Sequence, residues 1–177
     1  GTLLKHYRDM AFMGAIDVLR NLGKIGRNFR LCKEKLLEFN PGVLILIDYP
    51  GFNLKMAEFA HQHGIKVFYY ILPKAWAWKA WRIKKLKQYV DASFSILPFE
   101  EEFFGKHGVE VHYTGNPLPD AIDGSGAETL TREAFLRKNN LPDRPLVALL
   151  PGSRFQEIKA MLPLMSRMAR EFPYLQF

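Results

Sequence analysis

Cysteine is nearly absent from this chain. Cys32 is the only one in 177 residues, which excludes an internal disulfide framework and fits a reducing compartment. No apolar run approaches the roughly 20 residues that cross a bilayer as a helix, and the first residues lack the pattern of a signal peptide. A cytoplasmic chain that does not span the membrane is expected. Two phosphate-binding signatures are also missing, the G-x-x-x-x-G-K-[ST] loop and the G-x-G-x-x-G turn. The five histidines are scattered, and His61 and His63 stand two apart, a spacing that does not bring them together on a helix. Neither a metal site nor a cofactor is expected. Acids are missing from one stretch in particular. Lys74, Lys79, Arg82, Lys84, Lys85 and Lys87 follow one another with no carboxylate until Asp91.

What is present is a globular composition, 48% hydrophobic and 24% charged, with a net charge of +7. That balance points to an anionic partner: nucleic acid, anionic lipid or a phosphorylated substrate. From residue 40 onward, strands and helices alternate. Residues 43–47 form a continuous apolar run, the signature of a buried parallel strand. Residues 54–63 have helical spacing and end at Gly64 in the C′ position. Strands are expected over 65–71, 93–97 and 109–114, a basic helix over about 79–90, and a short helix over 99–106. Glu100, Glu101 and Glu102 fall in the first turn of that short helix, where the dipole favours anions. Such alternation means βαβ units and a mostly parallel, right-handed sheet.

The alternation breaks at PLPDAIDGSGAE, which has the composition of a linker. A helix over 132–139 follows, then a strand over 146–150, a helix over 156–171 and a strand beginning at 174. The chain therefore divides into a first α/β domain over 1–118, a linker with its helix over 119–143, and the start of a second domain over 144–177. Both ends have the look of a cut, so a piece of a longer protein is expected.

Open parallel sheets bind ligands beyond the carboxyl ends of their strands. Two loops expected there carry suitable groups. In LILIDYPGFN, Asp48 sits at a strand end before the Pro50-Gly51 turn, with Asn53 placed to cap the next helix. Asp48 is either a cap for the turn's N–H groups or a general base toward a hydroxyl. In LLPGSRFQE, Gly152 and Ser153 lead into a helix, with Ser153 as N-cap and Gln156 closing a capping box. This is either an ordinary capped helix or a phosphate site in which Arg154 adds a bidentate guanidinium. The segment ILPKAWAWKAWRIKKLKQYV interleaves Trp76, Trp78 and Trp81 with cations. It fits single-stranded nucleic acid, lipid headgroups, or a packed helix with a solvated basic face. In residues 10–37, Phe12, Met13, Ile16, Val18, Leu19, Leu22 and Ile25 crowd among arginines and lysines. They form either core or a greasy basic surface for acyl chains.

Taken in order, MGAIDVL, IDYPGFNL, GIKVFYYILPKAWAWK, LPFEEEFFGKHGV, GNPLPD and LLPGSRFQEI resemble the lipid-A-disaccharide synthase family over about residues 10–170. The resemblance implies a glycosyltransferase-B fold of two Rossmann-like parallel-sheet domains. It implies UDP-2,3-diacylglucosamine as donor and 2,3-diacylglucosamine 1-phosphate as acceptor, joined in a β-1′,6-linked disaccharide phosphate with release of UDP. The enzyme would lie peripherally on the inner face of the cytoplasmic membrane, with an anionic membrane surface and no nucleic acid among its partners. The family's essential aspartate falls on Asp48 and its phosphate-contacting arginine on Arg154, beside Gly152 and Ser153. Phe12, Met13, Ile16, Val18, Leu19, Leu22, Trp76 and Trp78 would meet acyl chains or membrane. Two positions depart from the family pattern. Asn116 stands where a histidine is usual, and Gly51 where a second aspartate is common. Rival readings are a UDP-N-acetylglucosamine epimerase of the same fold and a nucleic-acid-binding module using the Trp-Lys segment.

Overall fold

A computed structural model describes residues 1–6, 21–126 and 130–177. The chain forms two compact units, Gly1–Ala121 and Ile122–Phe177. In the first unit helix α1 (Leu22–Phe39) is followed by β1 (Val43–Ile47), α2 (Pro50–Gln62), β2 (Lys66–Tyr70), α3 (Arg82–Tyr89), β3 (Ala92–Ser95), α4 (Phe99–Gly105) and β4 (His112–Tyr113). The sheet is parallel throughout and runs in chain order β1-β2-β3-β4. Its register is one-to-one from Val43 opposite Lys66 to Ile47 opposite Tyr70.

Side-chain alternation explains where the core lies. Leu46, Val67, Tyr69, Ser93 and Ser95 point to one face and are buried. Phe52, Leu54, Met56, Ala57 and Ala60 of α2, Ile83 and Leu86 of α3 and Phe104 of α4 close over them. The other face of β1 carries Val43, Ile45 and Ile47, which are exposed. The expectation of a strand buried on both faces is thus corrected. β1 is an edge strand here, and helices cover only one of its faces among the described residues. Helix α2 starts four residues earlier than its apolar spacing indicates. Pro50 stands at its first turn, where a fixed φ favours the helix and the missing N–H is not needed. Gly64 follows its end with φ +74°, as its C′ position requires.

Helix α5 (Pro117–Asp123) runs across the division between the units. It lies where the composition indicates a linker or long connection. Asn116 Oδ1 accepts the Leu118 N–H at 3.0 Å, so the prolines begin a short helix instead of preventing one. In the second unit α6 (Arg132–Lys138) is capped by Thr131, whose hydroxyl accepts the Ala134 N–H. Helix α7 (Phe155–Glu171) follows. The strands expected over 146–150 and from 174 reduce to a single parallel bridge between Leu146 and Gln176. Gln176 takes the Pro145 carbonyl and gives its own to Val147, but Leu150 is 83% exposed. One bridge is too little pairing to make a strand of either segment.

The first unit's core makes a direct prediction. Leu86→Ala should cost about 2–5 kcal/mol in denaturant unfolding, because a fully buried leucine leaves a cavity. Lys84→Ala, on the solvated face of the same helix, should change stability by less than about 0.5 kcal/mol.

Candidate functional site

The turn after β1 is the most constrained backbone of the first unit. Asp48 (φ 44°) and Tyr49 (φ 45°) are consecutive left-handed residues, and neither is glycine. Each such conformation costs about 1–2 kcal/mol. The turn persists because neighbouring groups fix it. Asp48 N–H donates to the Tyr70 carbonyl at 2.9 Å, which continues the β1–β2 ladder one residue past the strand. Asn53 Nδ2 donates to the carbonyls of Ile47 at 2.9 Å and Asp48 at 2.7 Å. The buried Tyr69 hydroxyl donates to the same Asp48 carbonyl at 2.7 Å. Tyr69 is held well above the usual tyrosine range, first by burial and then by the negative charge of Asp48. It therefore stays a donor at neutral pH.

Two expectations are corrected here. Asn53 does not cap α2; it ties down the end of β1, and the N-cap is Tyr49 with no side-chain cap. Nor does the Asp48 carboxylate cap the turn. Its backbone carbonyl is the tied group, and among the described residues the carboxylate takes no hydrogen bond or ion pair. The side chain is exposed. Sequence spacing places an acid here but cannot show which of its oxygens the fold uses.

Two further loops reach the same carboxyl edge of the sheet. Residues 71–81 follow β2, with left-handed Ile71 (φ 62°) and Lys79 (φ 58°). Trp76, Trp78 and Trp81 all precede α3, so the aromatics lie in a loop and not on the basic helix. Trp76 Nε1 donates to Glu100 Oε1 at 3.1 Å and its ring meets Phe99 edge-on. Glu100 is 2% exposed and its Oε2 has no partner. Burial, the largest cause, pushes its carboxyl above the usual range against the Trp76 hydrogen bond. The three glutamates are thus not alike. Glu101 accepts the Tyr113 N–H, Glu102 pairs with Lys106, and only Glu100 is buried. The dipole rule places all three and distinguishes none. On α3, Lys85 pairs with Glu58 at 2.7 Å while Lys84 and Lys87 face solvent.

In the second unit, Gly152 has φ +104°, and a Cβ there would lie 2.6 Å from Glu157 Oε2. Both facts require glycine. Glu157 Oε2 accepts the N–H groups of Ser153 and Arg154 at 3.3 Å each, and Oε1 holds Arg154 Nη1 at 2.6 Å. The N-cap is Arg154, not Ser153, and the acid that reaches back is Glu157, not Gln156. One residue of register decides this, because position N3 is counted from the true cap. The Arg154 guanidinium is the first cause holding the Glu157 carboxyl below its usual range.

Of the residues expected to meet acyl chains or membrane, Phe12, Met13, Ile16, Val18 and Leu19 lie outside the described residues. Leu22, Trp76 and Trp78 are exposed. An open apolar groove of about 840 Å³, lined by Leu4, Leu36, Phe39, Leu46, Phe52 and Met56, does not include these three. No helix among the described residues is long and apolar enough to cross a membrane.

A parallel sheet with helical crossovers, loops gathered at its carboxyl edge and a glycine turn opening α7 define a Rossmann-like fragment of the glycosyltransferase-B class. A family model described as Lipid-A-disaccharide synthetase matches residues 2–174. Among curated relatives, the Lipid-A-disaccharide synthase of Trichlorobacter lovleyi is 42% identical over 174 residues, 96% of this chain and 44% of the relative. That of Coxiella burnetii is 40% identical over 173 residues, 95% of this chain and 45% of the relative. That of Geobacter sulfurreducens is 38% identical over 174 residues, with shares of 96% and 44%. The chain belongs to the lipid-A-disaccharide synthase family. It spans less than half the length of these relatives. Neither the epimerase nor the nucleic-acid reading finds support in these matches.

Glu100 gives this site a pH signature. Its folded carboxyl is raised, so the native state holds a proton that the unfolded chain has released. Stability should fall as pH rises above the ordinary carboxylate range and through the raised value. Glu100→Gln should remove that slope and be the more stable protein at neutral pH. Denaturant midpoints from about pH 4 to about pH 8 test this; an unchanged slope would show that Glu100 is not the group responsible.

Proposed function

We propose that the protein carrying this chain condenses UDP-2,3-diacylglucosamine with 2,3-diacylglucosamine 1-phosphate, giving a β-1′,6-linked disaccharide phosphate and UDP. The observation that carries the reading is the family match over residues 2–174 together with the free carboxylate on the clamped Asp48 turn. Residues 1–118 form the acceptor-side domain, 119–143 the connection and 144–177 the beginning of the nucleotide-sugar domain.

Making a β linkage from an α-linked UDP donor inverts the anomeric carbon, so one displacement with one base suffices. Asp48 takes the proton of the acceptor 6-hydroxyl as that oxygen attacks. The bond to the donor's diphosphate breaks and negative charge collects on the leaving UDP. Arg154 leaves Glu157 to meet that charge, with Ser153 and Gly152 lining the turn. Asn116, capping α5, contributes a neutral amide beside the sugar-nucleotide and no proton transfer. The reaction takes place at the inner face of the cytoplasmic membrane. Exposed Leu22, Trp76 and Trp78, with the apolar residues from Phe12 to Leu19, contact acyl chains, and the exposed Lys74, Lys84 and Lys87 meet anionic headgroups.

In the complete enzyme, Asp48→Asn should lower kcat by about 100-fold or more, as loss of a general base does. Near-normal turnover would remove Asp48 from that role. Arg154→Ala should slow the reaction and raise the KM for the UDP-sugar; unchanged donor kinetics would take it out of the site. Binding to anionic vesicles should weaken as salt rises.

A further inference from the structure

Arg82 is a buried cation that the chemistry above does not use. It is 7% exposed and pairs with no acid among the described residues. Its Nε is enclosed and has no hydrogen-bond partner. What surrounds the guanidinium is aromatic: Trp78 at 5.1 Å and Trp81 at 6.0 Å from ring centroid to Cζ. Rings attract a cation but offer no acceptor to its five N–H groups. Three acids of the first unit are engaged elsewhere, and Asp48 forms no ion pair with Arg82. Glu58 serves Lys85 and Tyr89, Asp91 accepts the Val67 N–H, and Glu100 takes Trp76. Lys79 Nζ sits 4.4 Å from the same Trp78 ring, so two cations share one indole without an acid. A buried charge left unpaired is unfavourable unless something supplies the counter-charge.

Position narrows what that something is. Arg82 is the first residue of α3, directly after the loop from the carboxyl end of β2. Its positive charge is felt at the Tyr69 hydroxyl, the group that donates to the Asp48 carbonyl. Asp48 follows β1, the loop that leads to Arg82 follows β2, and the two strands are hydrogen-bonded neighbours, so both residues belong to the carboxyl edge of one sheet. We infer that Arg82, with Lys79 across the Trp78 ring, is the subsite for a phosphomonoester on the acceptor sugar. The inference rests on the reading of Asp48 as the base for that sugar. In the acceptor the attacking 6-hydroxyl and the 1-phosphate belong to the same ring. Whatever grips the phosphate must lie within one sugar of the base, and a guanidinium grips it in a bidentate way.

The test uses the complete enzyme with the acceptor and with its dephosphorylated counterpart, 2,3-diacylglucosamine. Wild type should prefer the phosphorylated acceptor in kcat/KM by about 10- to 100-fold, the range of a charge-assisted pair. Arg82→Met should bring that ratio close to one while the KM for the UDP-sugar stays unchanged, and Arg82→Lys should keep part of the ratio. Because Met removes an unpaired buried charge, its thermal midpoint should be no lower than that of wild type. A ratio that survives in Arg82→Met overturns the subsite, and so does unfolding of both variants, which would make Arg82 structural. Vesicles of phosphatidylglycerol and of phosphatidylcholine separate the sources of phosphate. Loss of phosphatidylglycerol binding with an intact acceptor ratio overturns the assignment in favour of a headgroup site. If wild type makes no disaccharide from either acceptor, the proposed reaction fails, and calorimetry then decides the subsite alone. Acceptor binding present in wild type and lost in Arg82→Met sustains it; equal binding overturns it.

Discussion

The first unit depends on one carbonyl oxygen. The Asp48 carbonyl receives Asn53 Nδ2 and the Tyr69 hydroxyl, both at 2.7 Å. These two bonds hold a pair of left-handed, non-glycine residues that would otherwise relax. They also link three elements: the end of β1, the start of α2 and the last residues of β2. Because the backbone of Asp48 satisfies the turn, its side chain is left for other use. A carboxylate that capped N–H groups would be held by the fold and poorly placed to take a proton. Here the fold holds the residue and leaves the acid.

The glycine turn of the second unit works by a different device. Gly152 has no side chain, so Glu157 folds back over it and satisfies the N–H groups of Ser153 and Arg154. The same carboxylate neutralises the Arg154 guanidinium. An anion arriving at this helix start meets a site already occupied by an internal acid, and the guanidinium must change partner to serve it. That ion pair is exposed to water, where such pairs are weak. The two turns share a plan: backbone geometry that excludes most residues, stabilised by a neighbour, presenting one charged group.

Much of the first unit was legible from spacing. The apolar run 43–47 and the β-branched and aromatic stretch that follows Gly64 each rest on local preferences that tertiary contacts did not override. What was not legible depends on partners distant in sequence. The exposure of Ile45 and Ile47 is decided by what covers the sheet, not by the run itself. That 146–150 makes no strand reflects a pairing of one bridge, with Gln176 near the other end of the second unit. Residue type marked Asp48, Arg154 and Gly152 as candidates, while Tyr69, Glu100 and Arg82 passed as core, dipole and surface residues. Their burial comes from packing across β2, α3 and α4, which no motif encodes. The Trp-Lys alternation showed that the segment was unusual but not that Pro73 and two left-handed residues would keep it a loop.

The central claim is that the clamp on the Asp48 carbonyl positions the carboxylate. Steady-state kinetics of the complete enzyme carrying Asn53→Ala tests it most directly, with circular dichroism as the check on folding. The account predicts a native spectrum, little change in KM for either substrate and a kcat lowered on the order of 10- to 100-fold, since a misplaced reacting group costs rate more than binding. A folded Asn53→Ala enzyme with wild-type kcat would contradict it.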